Sequence, residues 1–133
     1  MRVHFVHHAE DAPFVGEIER LMAAHRMERH DMPGGSDVAL VLASAAALRD
    51  GLGERPFQAL GAGIPVLTAV LGDDVVPMRF PVARKHLAVI NDPATALRLL
   101  EDHRKNSAAK IADGKRELFG YGLLLALVGR GEG

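Results

Sequence analysis

Hydrophobic and polar positions along this chain fall into blocks that change period. Val3, Phe5 and Val6 mark residues 2–6 as a first strand. A polar loop, His7-His8-Ala9-Glu10-Asp11, follows at once. Phe14, Ile18, Leu21 and Met22 then recur at helical spacing and predict one apolar helix face, with Glu17, Glu19 and Arg20 lying off it. Asp11 and Pro13 supply the helix start, a capping side chain followed by proline in the first turn, where no hydrogen bond is lost. Met27–His30 predicts a short second strand, and Pro33-Gly34-Gly35 a turn with backbone freedom.

Val38–Ala43 (VALVLA) and Ile64–Leu71 (IPVLTAVL) are near-continuous apolar runs, the pattern of central parallel strands covered on both faces. Between them, Ser44–Leu48 predicts the start of a helix and Gly51 and Gly53 break it. Pro56 opens another helix, which would bury Phe57, Leu60 and Ala62 and end at Gly63. Gly72-Asp73-Asp74, Pro77 and Pro81 predict a long loop. His86–Ile90 predicts a fifth strand bounded by Asn91-Asp92-Pro93, and Ala94–Leu100 begins a helix reaching toward Ala112. The alternation predicts a flavodoxin-like three-layer α/β sandwich with a central parallel sheet of about five strands. Only Pro33–Asp37 separates the second strand from the third, too short for a crossover helix of about a dozen residues. Either Met27–His30 is an irregular edge segment or one crossover helix is missing.

Composition narrows the class. The chain has 133 residues, which fits one domain of ordinary size with a core of its own. Hydrophobic residues make up 48%, charged residues 25%, and the net charge is −1, so no general attraction to nucleic acid or acidic membrane is implied. Cysteine is absent, which removes disulfides and thiolate metal sites, and a cytoplasmic location is the default expectation. The N-terminal apolar stretch is short and broken by His4 and His7, unlike a secretory signal. Leu118–Val128 is apolar but interrupted by Gly120 and Gly122, short of the roughly 20 residues a membrane span needs. The expected organisation is therefore a domain over residues 1–115 and a C-terminal apolar helical extension or oligomer contact over 116–133.

In parallel α/β sheets, ligands bind outside the carboxyl ends of the strands, which marks the loop at His7 and His8. Several segments, taken in order, resemble the Toll/interleukin-1 receptor (TIR) domain family, in its bacterial type. Phe5-Val6-His7-His8-Ala9-Glu10-Asp11, followed by Phe14-Val15, resembles the family's first box. Arg29-His30-Asp31-Met32-Pro33-Gly34 resembles its second, with one extra residue between the arginine and the aspartate. Ser36–Ser44 resembles its central strand and terminal serine. Ala59–Val66 resembles the third helix leading into the fourth strand. The likeness covers about residues 2–100. The helix after the second box is lacking, as is the tryptophan-containing third box; the chain has no tryptophan.

The resemblance implies a signalling domain that acts through self-assembly, partnering itself or other TIR-like domains. In some members it also implies cleavage of the nicotinamide–ribose bond of NAD, which makes NAD a candidate substrate and the chain a candidate NAD nucleosidase with no cofactor. That reaction passes through an oxocarbenium-like state that a carboxylate stabilises. The family's glutamate register, eight positions ahead of Gly63, falls on Arg55, so Glu54 is the catalytic candidate, and Asp50 is a poorer one. His7 and His8 lie where family members contact ligand. Ser44 either donates a hydrogen bond to a ligand or caps the next helix. Asp31 and Gly34 belong to a turn that either gates the site, docks a neighbouring copy, or is a plain turn. Glu10 and Asp11 are read as helix-capping acids.

No metal is expected. His4, His7, His8 and His30 offer imidazole nitrogens, but they lack a paired carboxylate at a known spacing. Gly61 and Gly63 precede a strand, so they are not a dinucleotide fingerprint. A second resemblance runs from Asp50-Gly51-Leu52-Gly53 through Gln58–Val66, with a tail from Asn91-Asp92-Pro93 to Arg116. It is to the nucleotide-sugar-binding C-terminal half of GT-B glycosyltransferases, whose paired glutamates are here Asp50 and Gln58. A non-catalytic TIR interaction module is the third alternative.

Overall fold

A computed structural model describes residues 1–71 and 88–105. They form strand β1 (Arg2–Val6), helix α1 (Ala12–Met22), strands β2 (Glu28–Arg29) and β3 (Val38–Ala43), helices α2 (Ala45–Asp50) and α3 (Arg55–Gly61), strands β4 (Val66–Leu71) and β5 (Ala88–Ile90), and helix α4 (Pro93–Lys105). The sheet order is β2-β1-β3-β4-β5, and every neighbouring pair is parallel. This is a flavodoxin-like α/β arrangement with helices on both faces. The expected loop at Gly72–Pro81 lies outside the described residues, as do the first residues of the expected fifth strand, the helix beyond Lys105 and the whole 116–133 extension.

The alternation of side chains along each strand sorts the core into two layers. On one face, Val3, Phe5, Val38, Leu40, Leu42, Ala69 and Ile90 pack with Val15, Ile18 and Met22 of α1 and Ala96, Leu97 and Leu100 of α4. On the other, Val6, Val41, Ala43 and Val70 pack with Ala47 and Leu52, and Leu48 and Leu60 from α2 and α3 lie against them. All six residues of β3 are buried, because β3 lies between β1 and β4 and is covered on both sides. Each large aliphatic residue so buried is worth about 1.5–3 kcal/mol.

Two expected helix faces are rotated. In α1 the buried face is Val15, Ile18 and Met22, while Phe14 is half-buried and Leu21 is 39% exposed. At about 100° per residue, Leu21 stands roughly 90° from the centre of that face. In α3, Pro56 and Ala59 are buried, Phe57 and Leu60 are half-buried, and Ala62 is exposed.

The missing crossover is real: residues 30–37 contain no helix. Both ends of this connection hold β1 near its amino end. His30 N–H donates to Val3 O at 2.8 Å, and Asp37 N–H donates to Arg2 O at 2.9 Å. Arg2 N–H returns a bond to Asp37 Oδ2 at 2.7 Å. The connection thus passes from one flank of β1 to the other within two residues of the strand, leaving β2 only two residues long. It closes on itself through His30 Nε2–H to Gly34 O at 3.2 Å and Ser36 Oγ–H to Met32 O at 2.7 Å. Gly35 makes the turn at φ +85°, and a Cβ there would stand 3.2 Å from His30 Nε2.

Candidate functional site

Val6 ends β1 and Ala43 ends β3, and these neighbouring strands run side by side with Val6 opposite Val41. In the order β2-β1-β3-β4-β5, the chain reverses its direction of sheet growth between β1 and β3, the switch point outside which open α/β sheets generally bind ligands. The loops at this edge are His7–Asp11 and the segment from Ser44 through α2 to Glu54.

Ser44 joins them first. It is 4% exposed. Its Oγ accepts Ala47 N–H at 3.1 Å, capping α2, and donates to Asp11 Oδ2 at 2.5 Å. Asp11 therefore gives its carboxylate to the neighbouring strand. It stands at the start of α1 but makes no side-chain capping bond there, and Pro13 in the first turn removes one of the N–H groups that would need it.

His8 makes the second junction. Its Nδ1 accepts Glu10 N–H at 3.0 Å, which places the ring proton on Nε2, and Nε2–H donates to Asp50 Oδ2 at 2.7 Å. Both ring nitrogens are engaged, so His8 fastens the first loop to the end of α2. Arg49 completes the cluster. Its Nη2 contacts Glu10 Oε2, its Nη2 bonds Asp50 Oδ2 at 2.9 Å and its Nε bonds Asp50 Oδ1 at 3.1 Å. The Arg49 guanidinium, and then the His8 bond, lower the Asp50 carboxyl to about 2, while Asp50 and Glu10 raise the Arg49 guanidinium. The side chains of Glu10, Arg49 and Asp50 are about half exposed, and His8 is mostly covered.

The remaining candidates divide. His7 is half-buried, and its Nδ1–H donates to the His8 carbonyl at 2.7 Å, leaving Nε2 as its other polar atom. Glu54 is exposed directly before α3, and its side chain makes no capping bond. The loop that carries it is fixed by Leu52, 3% exposed, in the same apolar cluster as Val6 and Ala43. Glu54 thus follows by two residues an anchor at the carboxyl ends of β1 and β3. Asp31 and Gly34 are not brought to this cluster. They sit in the connection held at Arg2 and Val3, and about 13 Å of strand separates Arg2 from Val6. Asp31 is exposed, and the Gly34 carbonyl is occupied by His30.

Arg49 was not among the residues the sequence singled out, and Asp50 and Glu10 carried other roles there. Only the adjacency of opposite charges at the end of a short helix hinted at a pair. Their link to Glu10 spans 39 residues of sequence and the His8–Asp50 bond spans 42. Among the described residues, no helix is long and apolar enough to cross a membrane. Comparison of the chain with protein-family models, with characterised proteins and with solved structures finds no match.

Proposed function

We propose that this chain is a TIR-like domain that takes NAD at the carboxyl edge between β1 and β3, cleaves its nicotinamide–ribose bond, and signals through self-assembly. The observation that carries the reading is the Leu52 anchor. It sets the loop bearing Glu54 beside Val6 and Ala43, at the edge where His8 and Asp50 fasten the first loop. The family resemblance of the first loop and of the Ser36–Ser44 strand supports the same choice of ligand.

In the proposed reaction, the C–N bond between ribose C1′ and nicotinamide breaks, and neutral nicotinamide leaves. Water supplies the oxygen that bonds to C1′, and a proton is released with ADP-ribose. Glu54, exposed and unconsumed by capping, offers a carboxylate to the positive charge that develops at the ribose. His7 Nε2 offers a hydrogen-bonding atom to ribose or phosphate. For assembly, Met32 is 65% exposed on the connection between β2 and β3 and offers an apolar contact to a neighbouring copy. Asp50, the position a glycosyltransferase half-domain would give to the donor, already bonds His8 and Arg49.

Incubation of the full chain with NAD at increasing protein concentration, followed by measurement of nicotinamide, tests the reading. Release that rises faster than linearly with protein and drops at least 100-fold in Glu54→Ala is expected. Absence of release at every concentration, or release unchanged in Glu54→Ala, overturns it.

A further inference from the structure

His4, His7 and His30 each donate a ring N–H to a backbone carbonyl, at 3.1, 2.7 and 3.2 Å. A charged imidazole keeps such a bond, because both of its nitrogens carry protons. His8 is held the other way. Its Nδ1 accepts the Glu10 N–H at 3.0 Å, which requires a bare nitrogen and hence a neutral ring. That bond caps the single 3-10 turn Ala9–Asp11, which is closed by Asp11 N–H to His8 O at 3.0 Å. A proton on Nδ1 sets one N–H against another and breaks the cap.

We propose that His8 is a pH-operated latch on the first loop: its neutral ring holds the Ala9–Asp11 turn through the Glu10 N–H, and its charged ring releases that turn and takes the Glu10 carboxylate instead. The second partner is already in place, since Glu10 Oε2 lies 3.6 Å from the same Nδ1. The bond from Nε2–H to Asp50 Oδ2 at 2.7 Å is a donor bond in both states. The ring therefore stays tethered to α2 while it exchanges one partner for another on the loop. One proton, taken from solvent, turns Nδ1 from acceptor to donor.

The charges around the ring come from two elements. Glu10 and Asp11 belong to the first loop, beside His7, and Arg49 and Asp50 to the end of α2. Among the described residues of this cluster, the three carboxylates stabilise a charged ring against the Arg49 guanidinium and the cover over His8. When Glu10 turns to the imidazolium, Arg49 keeps Asp50 through its Nε at 3.1 Å and its Nη2 at 2.9 Å, so α2 loses no charge partner. The released turn carries Asp11, whose carboxylate bonds the buried Ser44 hydroxyl, and the change is thus felt where the first loop meets the end of β3. Histidine changes charge between about pH 5 and about pH 8, so the shape of this loop follows pH within that range. The inference concerns the free chain and stands apart from the NAD reading.

Nitrogen-15 NMR of the full chain, titrated from about pH 8 to about pH 5, tests it by following the His8 ring nitrogens and the Glu10 amide together. At the upper end Nδ1 is expected to read as a bare acceptor and Nε2 as the protonated nitrogen. On acidification Nδ1 gains a proton, the Glu10 amide resonance moves upfield at the same midpoint, and its protection from hydrogen exchange falls about 5-fold or more. His8→Asn is the second arm. Its side-chain oxygen accepts the Glu10 N–H in place of Nδ1 and takes no proton, so the Glu10 amide is expected to hold its position and its protection across the range. Glu10→Gln, which keeps the N–H bond and removes the carboxylate, is expected to move the His8 midpoint to lower pH. A proton on Nδ1 at the upper end, a His8 ring that titrates while the Glu10 amide stays still, or no titration of the ring overturns the proposal. So does a Glu10 amide that titrates in His8→Asn as it does in wild type, or a His8 midpoint unmoved in Glu10→Gln.

Discussion

Replacing Ser44 by alanine removes two bonds from one buried hydroxyl. The first caps α2 through Ala47 N–H at 3.1 Å; losing a serine cap typically costs about 1 kcal/mol. The second reaches the half-buried carboxylate of Asp11 at 2.5 Å. Hydrogen bonds to charged groups are worth about 1.5–3 kcal/mol, and the lower end applies because water reaches Asp11. The sum is about 2–3 kcal/mol. Urea unfolding followed by far-ultraviolet circular dichroism reads it directly. With a slope near 2 kcal/mol/M, the Ser44→Ala midpoint falls by about 1 M or slightly more while the slope holds. A double-mutant cycle with Asp11→Ala separates the two bonds. A coupling of about 1 kcal/mol is expected, because the cap survives loss of Asp11 and the inter-loop bond does not. A midpoint shift below about 0.3 M, or a cycle that is additive, refutes the view that Ser44 ties the first loop to α2.

Three further outcomes follow from the same geometry. The Asp50 carboxyl titrates at about 2 because Arg49 and then His8 bond its charged form. Since its folded value lies below the unfolded one, the stability it lends is present above about pH 4 and fades as pH falls toward 2; carbon NMR of the Asp50 carboxyl should show this midpoint, and Arg49→Gln should raise it. Leu40→Ala, at a fully buried position in the middle of β3, should cost about 2–5 kcal/mol in the same urea assay, and a cost under 1 kcal/mol would contradict burial of β3 on both faces. Gly35→Ala combines φ +85° with a Cβ 3.2 Å from His30 Nε2, so a loss of about 1 kcal/mol or more is expected, and a neutral result would place the 30–37 connection elsewhere.

What the sequence disclosed and what it withheld follow from the range of the forces involved. The VALVLA run was legible because a strand covered on both faces needs apolar residues at every position, and that demand is written locally. The missing crossover was legible as arithmetic, since Pro33–Asp37 cannot hold a helix; the short β2 and the loop across β1 are its consequences. Helix faces were less legible. Val15 and Leu21 are both aliphatic, and only the position of the sheet decides that the first is buried and the second is 39% exposed. The site was half legible. That the loop after β1 lies at the carboxyl edge of the sheet follows from topology, so His8 was within reach. That Asp11 bonds Ser44 rather than its own helix, and that Glu10 meets Arg49, depends on which strand lies beside β1. Local rules give Glu10 and Asp11 to the helix terminus because that is the nearest polar partner in sequence. In the fold, β3 and α2 bring nearer competitors, and a carboxylate bonds whichever donor is closest in space. The chemistry of this edge is thus a product of the parallel β1–β3 pairing, so a change that shifts the pairing register between Val6 and Val41 should disperse the cluster without touching any of its residues.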